Sequence, residues 1–413
     1  MAASALAQSA PPGSSLVVYE DGSARINALL NASLNVAIPA GIYMLTAELT
    51  VREGHVIAAA AGAQVILKTA AAYAGRIVGT IDKSFTLRGL TLDGAYASRL
   101  SLEGKPAASL IQVTGGTKVT LENNRFQYAP ATAVWAWRSA AIQVRGNTFF
   151  ETYQPIRLDG ANIPAGGGTI ENNTFTNTAA FKSIQHIEAL YTDGLVIRGN
   201  TMRGAGLAEP SSHGYEGTWG NSIYLVNSNH YLVETNKVYS NYWSSLVSGS
   251  GSANGVIRGN YFLEGAHSSA CMWIEQPGAA YITVDSNDLD GGISVGDTGG
   301  DHLTITRNTV HSRGVGIDVN SGAKDVLIQD NQFYSKAGFR NNNGMYLWQK
   351  STPDVNVRVL NNYIQGFDNG IAINNSGGLG TVYGITLSGN TFSDNNQNVW
   401  VPSTIVLAKP LGQ

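Results

Sequence analysis

The chain has 413 residues, of which only 13% are charged, and its formal net charge is −3. This weak, slightly acidic charge gives no electrostatic reason to expect nucleic acid or an anionic membrane as a partner, and no apolar run approaches the ~20 residues of a membrane-spanning helix. The single cysteine, Cys271, excludes an internal disulfide and a multi-cysteine zinc site.

The first segment, residues 1–16, is predicted to be a disordered tail or the remnant of a signal peptide. Its letters ALAQSA are similar to the end of a signal peptide with an A-x-A cleavage site, although the basic start and the full apolar run are missing. If the remnant is real, the native protein is secreted or periplasmic.

The next stretch, YEDGSARINALLNAS, predicts a short amphipathic helix with Ile26, Leu29 and Leu30 on one face. Two stretches with alternating apolar residues follow it, VAIPAGIYMLTAELTV and GHVIAAAAGAQVILK. Alternation with a period of two predicts half-buried strands.

A repeat of 21 to 36 residues runs through the rest of the chain, and each copy has an asparagine within a short motif such as RGNTF or ENNTF. The repeated asparagines are Asn124, Asn147, Asn173, Asn200, Asn236, Asn260, Asn287, Asn308, Asn331, Asn362 and Asn390. Because asparagine tolerates the left-handed backbone region, we expect each to lie in a tight bend between two strands. Stacked copies would let the asparagine side chains form a hydrogen-bonded ladder.

These repeats, together with the PAGIY strand pair, resemble the pectate-lyase-like superfamily of single-stranded parallel β-helices. That superfamily includes polysaccharide lyases, glycoside hydrolases, epimerases and phage tailspikes. The resemblance implies an all-β fold, a right-handed parallel β-helix of about twelve coils, with the N-terminal helix capping the open end. Residues 17–413 then form one domain with a long loop insert near 203–221.

A second recurring strand follows each asparagine bend. Its copies are VWAWR, IRLDG, IYLVN, MWIEQ, ISVGD, IDVNS, MYLWQ and IAINN. The first and third positions are apolar and are expected to face the core. The second and fourth positions mix aromatic rings with charged and amide groups, which are costly to bury unpaired, so we expect these two columns to face solvent.

An outward ribbon of aromatic, carboxylate, amide and arginine side chains is typical of a surface that binds sugar chains. The predicted binding residues are Trp135, Trp137, Arg157, Gln185, Tyr224, Trp273, Asn320, Tyr346 and Trp348. The long insert adds His213, Glu216 and Trp219 as a wall beside the groove. The register of SIQHIE (183–188) stays open, because it exposes either Gln185 with Ile187 or His186 with Glu188.

Cleavage of a glycosidic bond needs two carboxyl groups, one protonated and one ionised. The first candidates are Glu275, Asp297 and Asp318, on successive coils, and the second pair is Asp159 and Glu188. The sequence therefore predicts a glycoside hydrolase or transglycosylase that acts on a polysaccharide or oligosaccharide.

Two alternatives stay open. A polysaccharide lyase would need a base and a carboxylate-neutralising cation, for which Lys182, His186, Arg157 and Tyr224 are candidates; a non-catalytic adhesin or spike would need only the binding face. No cofactor or metal is predicted, since the acidic stretch 285–292 lacks the ligand spacing of a calcium loop. The sequence is compatible with a monomer or a homotrimer.

Overall fold

The computed structural model describes most of the chain. The described residues are 16–115, 118–139, 141–160, 167–179, 181–207, 220–266, 268–274, 279–296, 300–320, 322–336, 342–348, 354–374, 381–382, 384–401 and 406–407. Residues 1–15 of the predicted tail and residues 208–219 of the predicted long insert lie outside the described residues.

Within this described part the chain winds through three long parallel sheets, so the predicted right-handed parallel β-helix is confirmed. The three sheets are called sheet A, sheet B and sheet C, and their strands are given below. Each coil contributes one strand to sheet B, then one to sheet A, then one to sheet C. Each strand pairs in parallel with its equivalents in the coils before and after it. One helix, Gly22–Ala32, covers the N-terminal end with Ile26 and Leu30 fully buried, as its amphipathic pattern predicts.

Sheet A has 15 strands in the described residues. They are Val18–Tyr19, Gly41–Leu45, Val65–Thr69, Thr91–Asp93, Arg125–Gln127, Thr148–Phe150, Thr174–Thr176, Thr201–Ala205, Lys237–Asn241, Tyr261–Leu263, Asp288–Asp290, Thr309–Ser312, Gln332–Ser335, Tyr363–Gln365 and Thr391–Ser393. Short 3-10 turns at Tyr96–Ser98, Leu100–Leu102 and Pro106–Ala108 fill the connection that follows the strand Thr91–Asp93.

Sheet B has 14 strands in the same part of the chain. They are Asn35–Ile38, His55–Ala59, Phe85–Arg88, Val119–Glu122, Ile142–Arg145, Thr169–Glu171, Val196–Arg198, Leu232–Glu234, Val256–Arg258, Thr283–Asp285, Thr304–Thr306, Leu327–Gln329, Val357–Leu360 and Ile385–Ser388. A separate pair of short strands joins Thr381–Val382 to Val406–Leu407.

Sheet C has 13 strands among the residues described. They are Val78–Ile81, Ile111–Thr114, Thr132–Trp137, Gln154–Asp159, Ile187–Leu190, Ile223–Val226, Leu246–Ser248, Ala270–Ile274, Gly292–Val295, Ile317–Val319, Asn343–Trp348, Asn369–Asn374 and Gln397–Trp400. These strands include the second recurring strand of the sequence, so sheet C presents the predicted binding face.

The predicted asparagine ladder is present at the bend between sheets B and A. The side-chain carbonyl of Asn147, for example, accepts hydrogen bonds from the backbone and the amide group of Asn124, and Asn173 does the same for Asn147. The ladder continues in this way to Asn390. The predicted bend is present at each of these asparagines, but the residue before each one takes the left-handed conformation, as Asn123 and Gly146 show with φ near 55° and 65°.

The core is a stack of aligned apolar side chains inside the three sheets. Phe126, Phe149 and Phe175 stack face to face at 4.8 Å between ring centres, and each is fully buried. Their stacking fixes the register from coil to coil, since a slip of one residue would turn every side chain to the opposite face. The outward columns of sheet C are therefore held in register along the helix axis.

Candidate active site on the outer face of sheet C

The tryptophans Trp135 and Trp137 lie on the outer face of sheet C, as their alternation predicts. Val134 and Ala136 between them point into the core and are 0% and 3% exposed, while both indoles are half-buried. The guanidinium of Arg138 packs over the Trp137 ring at 5.0 Å. This outer face, formed by the outward side chains of the sheet C strands, is called the groove face below.

One outward column of the groove face can be read directly from the strand register. In order it carries Gln112, Trp135, Arg157, Glu188, Tyr224, Val247, Trp273, Ser294, Asp318, Tyr346, Ala372 and Trp400. A second column, two residues further along each strand, includes Trp137 beside Asp159 and Trp348 beside Asn374. Because adjacent strands are about 4.8 Å apart, each step in a column is that long.

The N-terminal region of the groove face is defined here as Trp135, Trp137, Arg157, Asp159, Glu188 and Tyr224. Its centre is Arg157, which uses both terminal nitrogens. Nη1 lies 2.9 Å from a carboxylate oxygen of Glu188, and Nη2 lies 3.1 Å from a carboxylate oxygen of Asp159. One guanidinium therefore joins carboxylates from two neighbouring coils.

The carboxyl group of Glu188 is almost fully buried, and its pKa is raised above the usual value for glutamate. Burial is the largest cause, because it removes water from the charged form. The positive charge of Arg157 and a 2.8 Å hydrogen bond donated by the Gln154 amide act in the opposite direction, while the Asp159 charge adds to the increase. A buried carboxyl group with a raised pKa has the property required of a general acid.

Two buried hydrogen-bond donors lie in this region without a partner among the described residues. They are the indole Nε1 of Trp135 and the Nε of Arg157, whose residues are direct neighbours across the strand pair. An unpaired buried donor costs about 1–3 kcal/mol. Both donors suit an incoming hydroxyl or ring oxygen.

The C-terminal region of the groove face is defined here as Trp273, Asp318, Tyr346, Trp348 and Asn374, together with Trp243 from the bend before its strand. Asn320, a predicted binding residue, directly follows the strand Ile317–Val319 and is buried. The Trp243 and Trp273 rings pack at 6.3 Å between centres, and those of Tyr346 and Trp348 at 6.1 Å. The Asn374 amide donates a 2.6 Å hydrogen bond to the Tyr346 hydroxyl. The predicted outward orientation of Trp273, Tyr346 and Trp348 is confirmed, since each is half-buried beside fully buried strand neighbours.

The connection after Thr91–Asp93 lies beside the N-terminal region. The Tyr96 ring packs on Phe181 at 4.6 Å, and the Lys182 ammonium lies 2.6 Å from a carboxylate oxygen of Glu103. These contacts reach the segment that leads into the Glu188 strand. The connection thus builds a wall at the edge of sheet C where its strands begin.

The open register of residues 183–188 is resolved by Ile187, which is fully buried in the core, while Glu188 lies outward opposite Arg157. Neither Gln185 nor His186 is exposed, since both are 0% accessible. The prediction that Gln185 belongs to the binding surface is therefore wrong. The strand begins only at Ile187, so the alternation does not extend back through the bend.

The lyase candidates are separated by the fold. His186 packs against Phe175 at 5.6 Å between ring centres, and burial lowers its pKa to about 3, so it is neutral and out of contact with any glycan. Lys182 is paired with Glu103 in the wall. Arg157 and Tyr224 remain on the groove face, on either side of Glu188.

Several predicted residues cannot be placed. Glu275, Asp297, His213, Glu216 and Trp219 lie outside the described residues. Of the first-choice acids, Asp318 is described; it lies half-buried on the groove face between Ser294 and Tyr346. Among the predicted acids, the pair that the described part of the chain brings together is the second one, Asp159 and Glu188, which both contact Arg157.

Three groups close enough to hold a metal ion lie away from this face. Asp301, His302 and Asp325 offer ligand atoms within 4.8 Å of one another. The two ring nitrogens of His302 already lie 2.6 Å from Asp301 and 3.4 Å from Asp325. In the acidic stretch 285–292, Asp285 pairs with Arg307 and Asp290 with Lys336.

Sequence reasoning missed two contributors, Trp243 and Gln154. Trp243 lies in the bend before its sheet C strand, where no alternation marks it. Gln154, with a buried side chain, begins its strand and contacts Glu188 across the sheet. Both residues make their contacts with residues of another coil, so these contacts become visible only in the folded structure.

A family model described as "Right handed beta helix region" matches residues 109–289 and, in an overlapping second match, 203–381, together more than half of the chain. A search of curated proteins found no match. In the described residues, no helix is long and apolar enough to cross a membrane.

Similar solved structures share the coil at low identity. The A-module of the Azotobacter vinelandii mannuronan C-5 epimerase AlgE6 is 17% identical, with a TM-score of 0.45 over 95% of this chain and 96% of that one. The Streptococcus pneumoniae surface adhesin PfbA is 13% identical, with a TM-score of 0.44 over 95% and 98%. The catalytic domain of a GH87 α-1,3-glucanase in complex with nigerose is 12% identical, with a TM-score of 0.40 over 98% and 70%.

Proposed function

The chain belongs to the right-handed β-helix family, and we propose that it cleaves a glycan by acid–base chemistry on the groove face of sheet C. The observation that carries the proposal is the cluster in which Arg157 joins Asp159 to a buried Glu188 with a raised pKa, beside the rings of Trp135 and Tyr224.

In this mechanism Glu188 is the general acid. Its raised pKa keeps a proton available for the oxygen of the leaving sugar, which must be protonated as the glycosidic bond breaks. Asp159 is the second carboxylate, which attacks the anomeric carbon or activates water. Arg157 contacts and positions both groups.

The rings beside the carboxylates bind the sugar. Trp135 and Tyr224 flank the Arg157–Glu188 pair along the column, and Trp137 lies next to Asp159. Apolar faces of sugar rings pack on aromatic rings, while the unpaired donors of Trp135 and Arg157 would bind sugar oxygens. Binding in this orientation would bring the scissile bond to the two carboxylates.

The expected substrate is a neutral glycan. Within the described strands of sheet C, Arg157 is the only cation, and it is already paired with Asp159 and Glu188. The Arg138 guanidinium, directly after one of these strands, packs over the Trp137 ring. A uronate polymer would need free positive charge to compensate its carboxylates. The proposal includes secretion or export to the periplasm, which the signal-like letters of residues 1–16 support.

The test incubates the purified protein with soluble neutral glucans, mannans and xylans and with polygalacturonate. New reducing ends without the ultraviolet absorbance of an unsaturated product are expected. Absorbance on polygalacturonate would replace the proposal with lyase chemistry. Parallel assays of Glu275→Gln and Asp297→Asn test the first-choice acids of the sequence; full loss in Glu275→Gln with normal turnover in Glu188→Gln would move the acid to Glu275.

One observation favours a second candidate function, a glycan-binding adhesin. Arg157 pairs with both carboxyl groups in the structure, and the same arrangement suits a surface that only binds. Such a protein would bind the same glycans without releasing reducing ends. Retardation in a polysaccharide-containing gel, with no product, would support this candidate over the hydrolase.

A further inference from the structure

The C-terminal region of the groove face has the character of a binding site, since its described side chains are mostly aromatic rings and amides. Its two aromatic pairs are Trp243 with Trp273 and Tyr346 with Trp348. The indole Nε1 of Trp273 is buried and has no hydrogen-bond partner among the described residues. An indole donor beside two pairs of tilted, packed rings points to a ligand that has both an apolar face and oxygen atoms.

The strand register places this region in line with the carboxylates. From Arg157 the same outward column reaches Trp273 after four strand steps and Tyr346 after seven. At about 4.8 Å a step, these positions lie about 19 Å and 34 Å from the Arg157 row. A ligand that touched both regions would have to extend along the helix axis.

The outward column is unbroken between the two regions. Tyr224, Val247 and Trp273 are successive members of the column, and Val247 is 2% exposed between its two aromatic neighbours. The floor of this stretch is apolar, and none of these three residues is charged. A sugar chain could pass over it with the faces of its rings against the protein.

We infer that the C-terminal region binds the same glycan chain that the N-terminal region cleaves, so that the substrate is a long neutral polysaccharide and short oligosaccharides fill only part of the site. This inference rests on the proposed function for the identity of the ligand. The C-terminal region is an anchoring site: it holds the polymer and does not touch the bond that breaks.

The experiment compares the wild type with the double variant Tyr346→Ala/Trp348→Ala. The matched control is Tyr334→Ala/Tyr363→Ala, which removes a similar pair of rings, 5.8 Å apart, from the outer face of sheet A in the same part of the helix. Thermal melting of each variant checks that the fold is kept. Retardation is measured in gels that contain soluble glucan, mannan or xylan, and turnover is measured on those polymers and on short oligosaccharides made from them.

The expected result is a loss of at least tenfold in polymer affinity for Tyr346→Ala/Trp348→Ala, with turnover of short oligosaccharides within twofold of the wild type and no change in the control. Equal losses on long and short substrates, or no loss at all, would overturn the inference.

The two proposals fail in distinguishable ways. If the wild type binds polymers but releases no product, and binding is lost in the C-terminal variant, the anchoring inference stands and the hydrolase proposal fails. If the wild type cleaves polymers and the variant binds and cleaves them equally well, the hydrolase stands and anchoring fails. If no glycan is bound or cleaved, both are wrong.

Discussion

The N-terminal and C-terminal regions of the groove face are built on the same sheet, from strands in the same register, and yet they carry different chemistry. In the N-terminal region a guanidinium joins two carboxylates, one of them nearly buried. In the C-terminal region the outward side chains are mostly rings and amides, with one described carboxylate, Asp318, between Ser294 and Tyr346. The same β-helix backbone can carry both sets of side chains, because side chains that face outward do not pack in the core.

The coil fixes where a side chain lies, while the neighbours on adjacent coils determine its chemical properties. Glu188 has a raised pKa because its neighbours bury the carboxyl group, and this effect outweighs the charge of Arg157 and the hydrogen bond from Gln154, which both lower the pKa. We therefore expect catalysis to depend on the N-terminal region and the length of bound chain to depend on the C-terminal region. The following predictions test that division, from the largest expected effect to the smallest.

Glu188→Gln should lower the rate of glycan cleavage by about a hundredfold to ten-thousandfold, the range typical of losing a general acid. The amide keeps the size of the side chain but cannot deliver the proton. In the wild type, activity should decline on the alkaline side only above the usual glutamate range, since burial raises the pKa of Glu188. Reducing-end release across pH measures both effects.

The matched control is Glu234→Gln. Glu234 pairs with Arg258 at 2.8 Å on the outer face of sheet B, away from the groove face. Its loss should leave cleavage near the wild-type rate. Normal turnover by Glu188→Gln would remove Glu188 as the acid.

His186→Leu should flatten the dependence of stability on pH. The wild-type imidazole has a pKa of about 3 when folded and about 6.5 when unfolded, so only the unfolded chain takes up the proton between these values. Stability should therefore fall as pH decreases from 6.5 towards 3, by up to about 1.4 kcal/mol per pH unit. Urea unfolding at several pH values measures it.

The control variant for His186→Leu is Met345→Leu. Met345 lies beneath the C-terminal region, is fully buried and does not titrate. This variant should keep the wild-type dependence of unfolding free energy on pH. An unchanged slope in His186→Leu would show that the buried imidazole does not control acid stability.

Trp135→Ala should raise the KM for a glycan about tenfold, equivalent to about 1.4 kcal/mol of lost ring contact, with a smaller change in kcat. The half-buried indole is next to Arg157 in the column and has an unpaired donor. Initial rates over a range of polymer concentrations measure it. A fall in kcat with KM unchanged would place Trp135 in catalysis instead of binding.

Asp318→Asn should change turnover by less than threefold, the smallest effect in the series. Its row is six strand steps from Arg157, about 29 Å, too far to share a scissile bond with Glu188. A loss as large as that of Glu188→Gln would reverse the division and place the chemistry in the C-terminal region.

Much of this arrangement follows from the sequence alone. The spacing of Asn124, Asn147 and their equivalents predicts the coil, because an asparagine repeated once per turn can bond to the next amide in a stack. Strict alternation in AVWAWR predicts that the indoles face outward, since Val134 and Ala136 must share the core face. A period of two leaves no other assignment once one face is apolar.

Only the tertiary structure decided the rest. The alternation stops at the bend before Ile187, so the burial of Gln185 and His186 could not be predicted from it. The pairing of Arg157 with Glu188 joins residues 31 positions apart, through coils of unequal length. Sequence periodicity determines which way a side chain points, whereas its charge state depends on neighbours that the winding of the chain brings to within a few ångströms.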